Sequence, residues 1–466
     1  MDSESLKELV LDLHLHSRYS RAVSPRMNIP NMYVWARKKG INIMTTSDFT
    51  HPLWFREITS NLEETADGVF ELKNKDAVKN ENPQFFEKPF HGPYYILSCE
   101  VSSIYSENGK VHRIHNLIFA PNMQVASKIS KEFLNRGFNL AADGRPTFGI
   151  TSKQLCELLF GIDLKIALIP CHVWTPWFSL YGSRSGYDAI VDCFGKYAKY
   201  IFAIETGLSS DPAMNWRIKE LETRSIVSFS DAHSLEKMGR EATVLVSAVK
   251  NPVIKNSDIT YSNILNGFVK GRERIFKIGY TIEFYPEEGK YHYTGHRNCG
   301  VSYSPSQTQT KGTICPVCRK PLTVGVMHRV EELAEANSDQ SFTYETDDRG
   351  VVWIKDPKNV RPKFVSLVPF LEVLSEALGS GVSTIPVISM YEQLVSRFSS
   401  EHEVLFRTDL NLTKEISGSR VSEAIERVRS RSIAITPGFD GEYGKVKIWN
   451  DEDIKKEKKD QIGFSF

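Results

Sequence analysis

The chain has 466 residues, a formal net charge of +1 and 25% charged residues. That length suits two or three domains, the balanced charge excludes nucleic-acid binding by bulk electrostatics, and no apolar run approaches a membrane span. Seven cysteines, an odd number, fit no disulfide framework. The acidic, polar N-terminus lacks the marks of a secretory leader, so a cytoplasmic location is expected.

The first element reads "LVLDLHLHS", residues 9–17, in which Leu9, Leu11, Leu13 and Leu15 alternate with Val10, Asp12, His14 and His16. A period of two predicts a strand, here closing on two imidazoles that share a face. "NIPNMYVWARKKG" predicts a helix stopped at Gly40. The runs "INIMTTSDFTH", "PYYILSCEVSS", "RIHNLIFAP", "IALIPCHVW", "YIFAIETGLSS" and "SIVSFSDAH" each join a short apolar stretch to an ionisable end. Helical stretches such as "SKQLCELLFG" and "GYDAIVDCFGKYAKY" lie between several of them. Strand–helix alternation predicts an α/β fold with a largely parallel sheet, open or closed into a barrel. Ionisable residues at the C-terminal ends of barrel strands mark the active end.

The texture changes near residue 276, where turn residues and three clustered cysteines replace the helix signal. Amphipathic helices dominate after residue 330, and "SIAITPGFDGEYGKVKIW" predicts a hairpin with turns at Pro437-Gly438 and Asp440-Gly441. The expected division is a metal-dependent phosphoesterase unit over 1–275, a small zinc-binding module over 276–330, a mainly helical domain over 331–450 and a charged, flexible tail over 451–466.

The strand ends collect His14, His16, Asp48, His51, Glu100, His115, His172, Asp231 and His233. A lone histidine is usually a packed or surface residue, and His91 and His112 are read that way. The mixture of carboxylate and imidazole suits divalent zinc, manganese, magnesium or iron. A bridging carboxylate can hold two ions about 3.5–4 Å apart, the geometry of two-metal phosphoester hydrolysis. Asp231, Glu100 and His172 are the expected centre of that chemistry. A second donor set has His296-x2-Cys299, then fifteen residues, then Cys315-x2-Cys318. Two such knuckles fit one structural zinc, with His292 as the competing fourth ligand.

The motifs "DLHLHS", "SDFTH", "SCEVSS", "RIHNLI", "PCHVWTPW" and "SFSDAH", in this order over residues 9–240, resemble those of the PHP (polymerase and histidinol phosphatase) superfamily. The resemblance implies a distorted seven-stranded β/α barrel, up to three metal ions and phosphoester hydrolysis. Two features depart from it. Ser20 and Arg21 follow the first motif, where many members carry another ligand, and Phe49-Thr50 separates Asp48 from His51. Two or three ions are therefore expected. "YHYTGHRNCG", "CPVCRKPLTVGVMHRVEELA" and "PGFDGEYGKV" further resemble the endonuclease Q group of DNA repair nucleases. That implies cleavage of the DNA backbone 5′ to a deaminated base (uracil, hypoxanthine or xanthine) or at abasic sites.

Detecting one wrong base requires exposing it, with aromatic faces to stack on it. Trp174, Trp177 and Tyr181 are candidates, Arg184 is a candidate for phosphate and Ser209 for a polar pocket group. The alternatives are a small-molecule phosphatase of the histidinol phosphatase kind and a non-catalytic DNA-binding module. The terminal stretch Gln461–Phe466 resembles a shortened sliding-clamp-binding peptide, which adds a clamp to damaged DNA as an expected partner.

Overall fold

Leu9, Leu11 and Leu13 are fully buried, and with Ile43, Ile96, Leu117, Ile169, Ala203 and Val227 they fill one shared apolar interior. Val10 faces the other way, into the layer built by the helices. This two-sided burial follows from the period-two alternation of Glu8–Asp12. The structure, a computed structural model, describes residues 6–249, 253–334 and 341–450. The expected tail 451–466 and its Gln461–Phe466 peptide lie outside the described residues.

The fold is mixed α/β with a large central sheet. Glu8–Asp12 pairs in parallel with Ile43–Thr45, which pairs in parallel with Tyr94–Glu107. From there the direction reverses, correcting the expectation of a largely parallel sheet. Tyr94–Glu107 and Lys110–Ala120 form one long antiparallel hairpin, and Ala167–Pro170 pairs antiparallel with Lys110–Ala120. The reason is local. Asn108 and Gly109 take φ of 52° and 76°, the left-handed pair that closes a two-residue hairpin. Glu100 and His115 therefore lie inside this hairpin and not at strand ends, with Glu100 opposite Leu117 and His115 opposite Ser102.

The parallel pair Ala203–Glu205 and Ser225–Val227 completes the set. Val173 N–H donates to Glu205 O at 3.2 Å, and His16 N–H donates to Ala232 O at 3.2 Å, which returns the chain to its first strand. The helix expected before Gly40 is Ile29–Lys39. Asn28 caps its start by accepting from Asn31 N–H, and Gly40, at φ 90°, ends it.

The sheet continues past the expected boundary at residue 275. Phe276–Glu283 pairs antiparallel with Ala242–Ser247 and in parallel with Lys363–Ser366, so that boundary runs between paired strands. A separate short ribbon, Thr294–His296 with Val301–Tyr303, starts the cysteine-rich module. The C-terminal part is mainly helical, from Phe370–Ala377 to Ser419–Arg429. The predicted hairpin pairs Ala434–Thr436 with Lys445–Lys447 and returns to the module through Tyr293 N–H on Gly438 O at 2.9 Å. Among the described residues, no helix is long and apolar enough to cross a membrane.

Candidate metal centres

Past Asp12 the alternation continues, with Leu15 bridged in parallel to Ala232, and both histidines of the first motif are buried in the cluster. Each is held from behind by a carboxylate. His14 Nδ1 lies 2.9 Å from Glu205 Oε1, and His16 Nδ1 lies 3.4 Å from Asp48 Oδ1. The Nε2 atoms then point forward. His14 Nε2 faces Asp231 Oδ1 at 3.5 Å and Glu100 Oε2 at 3.7 Å, and His16 Nε2 faces the same two oxygens at 3.1 and 3.3 Å. His14 Nε2 is buried and has no hydrogen-bond partner. A carboxylate on one ring nitrogen and a free lone pair on the other is the arrangement of a metal-ligating histidine.

Glu100 faces both ways. Its Oε2 serves His14 and His16, while Oε1 lies 2.5 Å from His115 Nδ1 and 3.1 Å from His172 Nε2. His115 Nδ1 and His172 Nε2 are themselves 3.2 Å apart. Burial pushes the His115 ring down to about 4, the direction that leaves one ring nitrogen free to ligate. Two donor groups result, His14/His16/Asp231 and Glu100/His115/His172, each with its ligand atoms within 4.8 Å of one another. Cys171 joins His14 and Glu100 in a third set within the same limit.

Burial disfavours charge here, yet the carboxylates dominate. His14 is raised well above its ordinary value by Glu205, Asp231 and Glu100 against its desolvation. Glu100 is held well below the carboxylate range, chiefly by His115 and Arg145. So much buried negative charge needs cations close by, and divalent ions fit this donor set. Asp48, His172 and Asp231 take φ of 42°, 33° and 46°, left-handed backbone that is uncommon for non-glycine residues.

Two expected ligands stand apart from the gathered donors. Asp48 Oδ2 accepts from Ser17 N–H, Ser17 Oγ and Ser20 Oγ at 2.6–2.7 Å, which makes Asp48 the support of His16 and leaves it outside both donor groups. His51 caps helix Pro52–Asn61, its Nδ1 accepting from Trp54 N–H at 3.4 Å, and its ring stacks on Tyr19. His233 lies at the rim. Its ring is 4.7 Å from that of His16 and its Nδ1 donates to Asp231 O, so it neighbours the groups without completing either.

Glu205 and Arg145 were missed. The ending "FAIETG" matches the other motif-bearing strands, so Glu205 carried a usable signal. Glu205→Gln is expected to lower metal affinity about 10–100-fold by weakening the hold on His14. Metal titration followed by isothermal calorimetry checks this, and unchanged affinity would remove Glu205 from the centre.

The expected base-binding residues divide differently. Trp174 is 1% exposed, donates to Asn215 Oδ1 at 2.8 Å and packs on Tyr181. Tyr181 is fully buried and its hydroxyl donates to Glu220. Both are buried among core residues. Trp174→Ala should therefore cost about 3–5 kcal/mol of stability, read by denaturant unfolding. A stability change under 1 kcal/mol would contradict the core placement. Arg184 donates to Leu322 O at 2.9 Å and so ties its loop to the cysteine-rich module. Ser209 is buried. Trp177 is half-buried, packs edge-on to Tyr291 at 5.5 Å, and lines a pocket of about 360 Å³ with His296, Arg297, Asn298 and Asp440.

The second donor set is gathered as well: ligand atoms of His296, Cys299, Cys315 and Cys318 lie within 4.8 Å of one another. His296 ends the first strand of the ribbon, and the turn Arg297–Cys299 closes on Gly300 at φ 64°. Cys315 N–H donates to Lys320 O at 2.8 Å, and Arg319, at φ 64°, turns the second knuckle. Burial raises the Cys315 thiol, but N–H groups of Cys318 and Val317 and the His296 side chain bring it down to about 6. Among the described residues, Val301, Cys315 and Leu322 form the local buried core, too small to order the segment without a staple. His292 is outside the set, and burial pushes its ring down to about 4.

Comparison with known proteins places these sites in context. A family model described as the MJ0043 C-terminal domain matches residues 369–432. The uncharacterized protein MJ0043 of Methanocaldococcus jannaschii is 31% identical over 277 residues, 59% of this chain. The match spans 31% of that protein's length. The crystal structure of the lesion-specific endonuclease PfuEndoQ from Pyrococcus furiosus superposes with a TM-score of 0.74 at 27% identity, over 96% of this chain and 99% of that one. A complex of endonuclease Q with a 27-mer duplex carrying an abasic lesion at its active site gives a TM-score of 0.74 at 28% identity, over 96% of this chain and 98% of that one.

Proposed function

We propose that this chain, endonuclease Q-like in structure over nearly its whole length, is a metal-dependent hydrolase of DNA phosphodiester bonds that acts at lesions. The observation that carries the reading is Glu100, whose two oxygens face two separate histidine-containing donor groups. The finer reading is cleavage 5′ to uracil, hypoxanthine, xanthine or an abasic site. Its support is the motif resemblance and the pocket between Trp177 and Tyr291, which offers aromatic walls and polar Asn298 and Asp440. Seven of the strands that contribute to the Leu9–Val227 interior support a distorted β/α barrel as the host of the centre.

His14, His16 and Asp231 would hold one ion and His115 and His172 another, with Glu100 between them. Divalent ions held there supply a more acidic water and neutralise charge on the phosphate. The chain's own part is to fix that geometry. Glu205 and Asp48 lock the tautomers of His14 and His16, and Glu100 and Asp231 supply the charge that retains the cations. His296, Cys299, Cys315 and Cys318 would hold a structural zinc, whose four protein ligands leave no position for substrate.

The test uses metal-loaded protein and end-labelled duplexes carrying uracil, hypoxanthine or an abasic site, beside undamaged DNA and a phosphomonoester. A lesion-dependent nick with a 3′-hydroxyl and a 5′-phosphate supports the proposal. Phosphate release from the monoester without nicking would establish the small-molecule phosphatase instead.

A further inference from the structure

The loop holding Asp143, Gly144 and Arg145 is tied down beside the barrel-end cluster. Gly144 N–H donates to Tyr19 O at 3.0 Å, and Asp143 Oδ1 accepts from the N–H groups of Arg21 and Arg145 at 3.2 and 3.0 Å. Gly144 packs so closely that a Cβ on it would lie 2.4 Å from both Asp48 Oδ2 and Ser20 Oγ. The Asp48 network that supports His16 is thus also the seat of this loop.

The result is a cation delivered to the centre. Arg145 Nη1 lies 3.2 Å from Glu100 Oε2, the oxygen that also faces His14 and His16. The Arg145 side chain is 25% exposed while Glu100 is 1% exposed, so the cation paired with the sealed carboxylate is itself partly open to solvent. Among the described residues, no other lysine or arginine forms an ion pair with Glu100, Glu205 or Asp231. A guanidinium carries five N–H donors in a planar fork that matches phosphate oxygens, and Glu100 engages one side of it.

We propose that Arg145 is a catalytic residue of the nuclease reaction inferred above. It holds Glu100 with one N–H and grips a non-bridging oxygen of the scissile phosphate with the others. In that reaction water adds its oxygen to phosphorus and the bond to the 3′ oxygen breaks. That oxygen leaves with a proton as the 3′-hydroxyl, and the added oxygen stays on the 5′-phosphate. Arg145 stabilises the negative charge that grows on the phosphate as this happens. Asp48, in this scheme, acts twice at a distance, through His16 and through the loop under Gly144.

The rival role is structural: Arg145 balances Glu100 and touches no substrate. Arg145→Met, Arg145→Lys and Gly144→Ala separate the two. Each variant is assayed for nicking of an abasic duplex under single and multiple turnover, for metal content by mass spectrometry and for thermal midpoint. The expected result is a fall in kcat of about 100-fold or more for Arg145→Met with metal content and midpoint retained. Arg145→Lys keeps the charge but not the fork, and partial recovery is expected. Gly144→Ala should fall in the same direction as Arg145→Met, because the loop must shift. Wild-type turnover by Arg145→Met, or a loss that tracks loss of metal, would overturn the assignment. A wild-type protein that loads metal but nicks no lesion would instead overturn the nuclease reading, and with it this role.

Discussion

Asp231→Asn is expected to reduce nicking of a lesion-bearing duplex by on the order of 10³-fold or more, equivalent to about 4 kcal/mol of transition-state stabilisation. The substitution is nearly isosteric, so the fold should persist. What it removes is a charge that His14 Nε2 and His16 Nε2 both face, at 3.5 and 3.1 Å. Asp231 is also the partly exposed carboxylate of the first donor group, with 24% of its side chain open, while Glu100 is sealed at 1%. A cation shared with an incoming phosphate therefore loses its most accessible anionic ligand. Steady-state nicking across a metal titration reads the effect. Wild-type turnover at saturating metal would remove Asp231 from the centre.

Cys315→Ser is expected to act on a different part of the molecule. It should release one zinc per chain and loosen the segment between His296 and Leu322, because the buried apolar core there consists of Val301, Cys315 and Leu322. Structural zinc sites contribute about 10–16 kcal/mol in isolated finger peptides, far more than three buried side chains can replace. The loss should spread outward. Arg184 holds the Leu322 carbonyl, Arg329 donates to Tyr181 O at 3.0 Å, and Thr323 donates to Asp440 at 2.6 Å. The module is thereby braced between the rim loop and the C-terminal hairpin, and its collapse would open the pocket beside Trp177. Zinc content and limited proteolysis, with hydrolysis of a small phosphodiester as the control for the barrel centre, check this. A variant that keeps its zinc and its protease resistance would show that Cys315 is no ligand.

The donors legible in the sequence were those carried by short, self-contained patterns. His14 and His16 stand two apart on an extended segment, and the paired knuckles of the second set are defined by spacing alone. Glu100 and His115 are expected at strand ends, but they meet through an antiparallel hairpin closed at Asn108-Gly109. Periodicity reports which face a residue occupies but not the direction of the neighbouring strand. Asp48 and His51 lie outside the gathered donors, and a carboxylate that supports a histidine looks the same in sequence as one that binds a metal. Trp174 and Tyr181 were misplaced because adjacency to His172 says nothing about burial. Arg145 lies in a loop fixed by Gly144 against Asp48, a long-range contact that no local pattern carries.

One measurement addresses the central claim directly. Wild-type protein and Asp231→Asn, each assayed for bound metal, are incubated with an end-labelled duplex holding a single abasic site and with the same duplex undamaged. The expected result is a metal-dependent nick at the lesion by the wild type, no nick in the undamaged duplex, and loss of the nick in Asp231→Asn. Equal cleavage of both duplexes, or a nick that survives chelation and the Asp231 substitution, would contradict it.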